Sequence, residues 1–193
     1  MQVRTLFPLM LAAALLGACA TSTEHPEASD TPERPRPVKP VLPKAAPEVQ
    51  AKRLDAVHAG LAAALRGQDV EITRLAPDLL RLRIAGRMAF AANEPKPLPP
   101  LLALLDRIAD ELKKEPATQI EVEAHTDSLG REVFNQDLSA RRADVAVAQL
   151  ASRGVAYGRL VARGKGEAQP VADNATEAGR ARNRRLDILI RGD

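Results

Sequence analysis

Apolar positions recur along this chain with two different periods, and the switches between them divide it into elements. From Ala51 to Arg66, Leu54, Val57, Leu61 and Leu65 fall at helical spacing, and Gly67 stands where a helix would stop. The period then drops to two. Val70 to Leu75 and Leu80 to Ile84 alternate apolar with polar around Ala76-Pro77-Asp78, which predicts a β-hairpin. Met88-Ala89-Phe90 reads as a further short strand before an Asn93-Glu94-Pro95-Lys96-Pro97 loop. A second helix is predicted over Pro99 to Lys114, with Leu101, Leu105, Ile108 and Leu112 on one face and Asp106, Arg107, Asp110 and Lys113 on the other. Ile120, Val122 and Ala124 alternate with Glu121 and Glu123, as a half-buried strand does. A helix from about Asn135 to Arg153 follows, with Leu138, Val147 and Leu150 turned inward and Gly154 as its stop. Leu160 to Arg163 and Leu186 to Ile190 supply two more strands. The order is helix, hairpin, helix, strand, helix, strand, strand, which defines a mixed α/β fold.

The first 50 residues follow neither period. Arg4 and the apolar run Leu6 to Leu16 have the layout of a secretory signal, and the run is shorter than the roughly 20 residues a membrane span needs. Leu15-Leu16-Gly17-Ala18-Cys19 resembles the lipobox of bacterial lipoproteins. That resemblance implies a signal peptide over 1–18 and a lipid on Cys19, the only cysteine in the chain. Acyl chains contribute about 0.8 kcal/mol per buried CH₂, so several of them would hold the chain on a bilayer. Ala20 follows the cysteine where lipoproteins kept in the inner membrane often carry Asp, so the resemblance points to the outer membrane, with the domain facing the periplasm. Residues 20–50 hold seven prolines, each fixing φ and removing a donor. With Cys19 they read as a tether, which at full stretch would reach on the order of 100 Å. The expected organisation is therefore signal 1–18, lipidated cysteine and tether 19–50, a helix plus hairpin 51–85 packed on or part of the next unit, and a main domain 86–193.

Charge and composition narrow the function classes. Removing Arg4 with the signal leaves 27 basic side chains against 25 acidic ones. One Tyr, three Phe and no Trp are too few aromatics for base-stacking platforms, so nucleic acid is not an expected partner. The histidines, His25, His58 and His125, do not form a cluster with metal-ligand spacing. A second cysteine and a G-x-S-x-G motif are both absent, so neither a metal, a cofactor nor catalysis is expected.

The informative motifs lie between Ile120 and Ile190. They are Ala124-His125-Thr126-Asp127, Asn135-Gln136-Asp137-Leu138-Ser139-Ala140-Arg141-Arg142-Ala143, and a closing segment that ends in Asn183-Arg184-Arg185. Together, over roughly Phe90 to Ile190, they resemble the peptidoglycan-binding domain of the OmpA family. The resemblance implies an OmpA C-terminal-like mixed sheet with a βαβαββ core, and a ligand site for the zwitterionic end of a diaminopimelate in the peptidoglycan stem peptide. Asp127 would take its ammonium and Arg142 its carboxylate, a task suited to the planar guanidinium fork.

Around that pair, Asn135 is expected to cap the following helix and fix the loop before it, or else to touch ligand. Leu138 would either wall the pocket or pack in the core, Thr126 would orient the loop, and Asn93 would reach in from the loop after Phe90. His125 reads as a structural residue at a strand end. Arg180 and Arg182 read as a solvated face, and Arg184 and Arg185 as residues that order the final loop against the site. Three positions depart from the family pattern: Ala124 where Gly is usual, Phe134 where Tyr is common, and Ala91 where an Asp often stands. The implied function is to bind peptidoglycan and tie the outer membrane to it. A second reading makes the chain an assembly subunit of an envelope complex, with residues 51–84 as the surface for a protein partner.

Overall fold

A computed structural model describes residues 46–192. The expected signal, Cys19 and all but the last residues of the tether lie outside them. Helix α1 spans Pro47–Ala64, so it begins four residues before the expected start and takes in the end of the expected tether. Pro47 sits in its first turn, where a missing N–H costs nothing and a fixed φ helps. The hairpin strands are β1 (Val70–Ala76) and β2 (Leu79–Ala85). A single helical turn, α2 (Gly86–Ala89), and helix α3 (Pro99–Leu112) lead into β3 (Thr118–His125). Helix α4 (Glu132–Ser152), β4 (Leu160–Gly166), α5 (Glu177–Asn183) and β5 (Arg185–Gly192) complete the order.

The five strands form one sheet in the order β1-β2-β5-β3-β4. β3 and β4 run parallel, joined through α4, and the other pairs are antiparallel. The fold is thus mixed α/β, with β2 as the first strand of the βαβαββ core and α5 as an addition before its last strand. Because β2 pairs along its length with β5, the hairpin is part of the same sheet.

The alternation read from sequence sets the core. Leu80, Ile190 and Ile120 are cross-strand neighbours, as are Leu82, Ile188 and Val122, and Ile84, Leu186 and Ala124. All nine are buried, packed with Leu54 and Leu61 of α1, Leu101, Leu105 and Ile108 of α3, and Ala146 and Leu150 of α4. A large aliphatic side chain buried in this way contributes roughly 1.5–3 kcal/mol. Gly154 ends α4 with φ at +95°, and the N–H groups of Gly154 and Val155 return to Ala151 and Leu150 at 2.9 and 3.2 Å. This is a Schellman closure, which a residue with a side chain would strain.

Two elements differ from expectation. Met88-Ala89-Phe90 does not form a strand: Gly86–Ala89 is helical, and Phe90 makes only an isolated bridge to Pro97. The cause is loss of a partner, since β5 begins at Arg185, opposite Ala85. Gly86 then passes so close to the Arg184 carbonyl that a Cβ there would lie 2.4 Å from its oxygen. The chain turns out of the sheet at that glycine. Second, α4 starts at Glu132, which places Asn135 inside the helix and overturns its expected capping role.

Candidate functional site

β3 ends at His125, and the backbone of Thr126 is caught by the Gly166 carbonyl at 2.9 Å, beside the end of β4. The chain then turns sharply, because Asp127 Oδ1 accepts the Leu129 N–H at 3.0 Å and Gly130 adopts a φ of +99°. Asn135, one turn into α4, fixes this loop from behind. Its Nδ2 donates to the carbonyls of Asp127 and Leu129 at 3.3 and 3.1 Å and to Glu167 Oε2 at 2.7 Å. With its amide nitrogen so engaged, Asn135 holds the Asp127 loop in place.

A cleft of about 560 Å³ opens at this end of the sheet. Its walls come from the Gly86–Asn93 segment, the loop after β3, the first turns of α4, and the junction of α5 with β5. Thr126, Asp127, Asn135, Leu138, Arg142 and Asn93 all line it, so the fold brings the predicted residues of the domain to one place. Leu138 is buried and forms part of the wall. Asn93 holds a left-handed φ of +54° in the loop after Phe90. The Thr126 hydroxyl is buried without a hydrogen-bond partner among the described residues, as are both ring nitrogens of His125.

Arg142 is 8% exposed, an unusual degree of burial for a guanidinium. Its Nε donates to the Glu94 carbonyl and its Nη2 to the Ala91 carbonyl, both at 3.0 Å, and its carbon lies 5.2 Å from the Phe90 ring centre. Position 91 thus holds Arg142 through its backbone carbonyl, a contact that does not depend on the side chain there. Burial pushes the Arg142 guanidinium below its ordinary pKa, and the charge of Asp127 opposes that fall. Asp127, 7% exposed, gives its second oxygen to Arg184 Nη1 at 2.6 Å. Arg184 also reaches Glu177 Oε1 at 2.7 Å, and these two carboxylates, Glu177 foremost, raise its pKa.

Arg184 was expected to order the final loop against the site, but its direct pairing with Asp127 was not. Fifty-seven positions separate the two, and nothing in the local pattern joins them. Helix α5, which carries Arg184 into place, was also missed. The signal available for it was Thr176, whose Oγ1 accepts the Gly179 N–H at 3.0 Å as an N-cap.

Arg185, by contrast, turns to the sheet. It bonds Asp187 at 3.1 Å and the Gln169 carbonyl at 3.0 Å, and it is almost fully buried. Among the described residues, no group of three or more His, Cys, Asp or Glu is placed to hold a metal ion.

Fold and cleft together define a small α/β module whose cleft is lined by the buried Arg142 and Asp127. The chain belongs to the OmpA family, through residues 90–184, which match that family's profile. Over 105 residues it is 38% identical to the peptidoglycan-binding protein ArfA of Mycobacterium tuberculosis, covering 54% of this chain and 32% of that protein. It is 36% identical over 107 residues to the outer-membrane lipoprotein YfiB of Pseudomonas aeruginosa, covering 55% of this chain and 64% of that one. Among solved structures, the cell wall anchor of the T6SS from Pseudomonas aeruginosa aligns with a TM-score of 0.62 at 32% identity, over 71% of this chain and 97% of that one. The chain thus spans about a third to two thirds of the length of these curated relatives.

Proposed function

We propose that this chain binds peptidoglycan without covalent chemistry, at the cleft, and holds it to the outer membrane through a lipid on Cys19. The ligand group is the zwitterionic end of diaminopimelate: Asp127 receives the ammonium and Arg142 the carboxylate. The observation that carries this reading is the state of Arg142. Two carbonyls fix its Nε and Nη2, while Nη1 has no hydrogen-bond partner among the described residues. A donor left open on a largely buried guanidinium, held rigid at the wall of a cleft, suits a carboxylate. Membership in the OmpA family supports the reading, as does likeness to a peptidoglycan-binding protein and a cell wall anchor. Likeness to an outer-membrane lipoprotein supports an envelope location.

Pull-down on purified sacculi tests the site. Wild-type protein should sediment with them, and Asp127→Ala or Arg142→Ala should stay in the supernatant while folding normally. Retention by either variant would remove the assigned pair. Incubated sacculi should also release no soluble fragments, since the cleft is read as a binding site only.

The T6SS likeness favours a second reading, in which wall binding localises a subunit of an envelope assembly. Deleting 51–84 cannot test it, because β2 is an internal strand of the sheet. An Asp127→Ala chain that leaves the wall yet still supports envelope integrity would favour it.

A further inference from the structure

Asp127 is already engaged. Its Oδ1 holds the Leu129 N–H, and its Oδ2 holds Arg184. Among the charged residues lining the cleft, Arg87, Arg142, Arg184 and Arg185 are cations and Asp127 is the only acid. An ammonium arriving alone therefore meets a carboxylate that is already neutralised, beside a second cation. Arg184 has another place to rest, however. Glu177, on the first turn of α5, takes its Nη2 and is exposed enough to follow small movements of that side chain. Glu177 also accepts from Arg180 Nη2 at 2.8 Å, so its position is fixed whether or not Arg184 leans on it.

We infer that Arg184 is a specificity-determining residue: it competes with the ligand's ammonium for Asp127, and Glu177 holds it when the ammonium enters. The inference rests on the proposed reading of the cleft. A carboxylate has roughly four lone-pair sites, so ammonium and guanidinium can share Asp127 only at close like-charge range. A ligand that also brings a carboxylate to Arg142 gains a charge-assisted bond that offsets this repulsion. One that brings only an ammonium gains nothing to offset it. Arg184 thus makes the site selective for a zwitterion over a simple amine, and Glu177 sets how readily it yields.

The test is calorimetric titration of the detergent-solubilised full-length chain with two stem tripeptides, one ending in diaminopimelate and the other in lysine, which has the ammonium but not the second carboxylate. Wild type should take the first and take the second more weakly. Arg184→Gln should raise affinity for the lysine tripeptide roughly two- to fivefold and narrow the ratio between the two. Glu177→Gln should weaken the diaminopimelate tripeptide by about the same factor, because Arg184 then rests wholly on Asp127. Arg184→Lys keeps the charge with a single-point donor and should give a ratio close to wild type; it serves as the comparison should the Gln variant fail to fold, with Glu177→Gln then carrying the test. If Arg184→Gln weakens both tripeptides in equal proportion, Arg184 only positions Asp127, and the inference falls while the cleft reading stands. If wild type takes neither tripeptide, both fall.

Discussion

Two buried aspartates, Asp127 and Asp187, each pair with arginine in this domain, and they differ in how fully they are satisfied. Asp187 lies on β5 and is 3% exposed. Arg83 grips it with two bonds of 2.9 Å, one to each oxygen, and Arg185 adds a third at 3.1 Å. Burial alone would push its carboxyl up, but the two arginines outweigh that and hold it below its ordinary value. Asp127, at the end of the sheet, has one backbone donor and one arginine that it shares with an exposed glutamate. The first centre is closed by cross-strand neighbours whose positions the sheet fixes. The second keeps capacity in reserve and faces a cleft. Saturation, more than burial or charge, separates the structural ion pair from the one proposed to bind.

The largest effect is expected at the closed centre. Asp187→Ala leaves Arg185 buried with its main counter-ion gone, and breaking a buried pair in this way costs about 3–5 kcal/mol. The urea midpoint of the variant should fall accordingly, and a loss below about 1 kcal/mol would erase the distinction between the two centres. Asp127→Ala should do the reverse. Its stability cost should be on the order of 1 kcal/mol, since Arg184 is partly solvated and keeps Glu177. Its sacculus binding, by contrast, should fall roughly ten- to a hundredfold, as for a lost charged hydrogen bond. Matching losses of stability in the two variants would contradict the comparison.

Arg142→Lys sharpens it from the cationic side. One ammonium cannot reproduce a planar fork that spans the Ala91 and Glu94 carbonyls while leaving a nitrogen for ligand. Binding to sacculi should drop by roughly tenfold, with charge retained and a melting temperature closer to wild type than that of Asp187→Ala. A lysine variant that binds like wild type would show that only charge, and not the guanidinium fork, matters at this position.

The contrast also explains what the sequence disclosed. The core was legible because alternation on β2, β3 and β5 is a local signal, and the residues it turns inward are the ones that meet across the sheet. Asp127 and Arg142 were legible as a motif. What escaped depends on chain neighbours far apart in sequence. The strand expected at Met88 to Phe90 fails because its partner strand begins only at Arg185, a fact that lies 95 residues away from Phe90. Asn135 looked like a cap because its side chain suits one, whereas its bonds run back to Asp127 and Leu129 and across to Glu167. Arg184 and Arg185 are adjacent in sequence and alike in type, and both border the cleft, yet one pairs with Asp127 and the other with Asp187 of the sheet. The strand begins between them, and successive side chains leave a strand on opposite sides. No periodicity within a basic run reveals which is which.

The smallest effect should follow the closed centre outward to Glu123, and it is read against pH. Glu123 is the cross-strand neighbour of Asp187, with the buried His125 ring 3.8 Å from a carboxylate oxygen of each. His125 beside it, and Lys165 at 2.8 Å, bring the Glu123 carboxyl down to about 2 against the cost of its burial. A carboxyl whose folded value is depressed adds stability above its unfolded value and loses it as pH falls. The window therefore opens near 4.5 and closes near 2. Glu123→Gln removes this contribution at every pH. It should cost up to about 1 kcal/mol at neutral pH, as a partly solvated pair does, and should flatten the fall in thermal stability between those limits. Because Glu123 does not line the cleft, sacculus binding at neutral pH should not change. If Glu123→Gln weakens wall binding while stability holds, the sheet's charge row and the cleft form one electrostatic unit, and the boundary between the two centres must be redrawn.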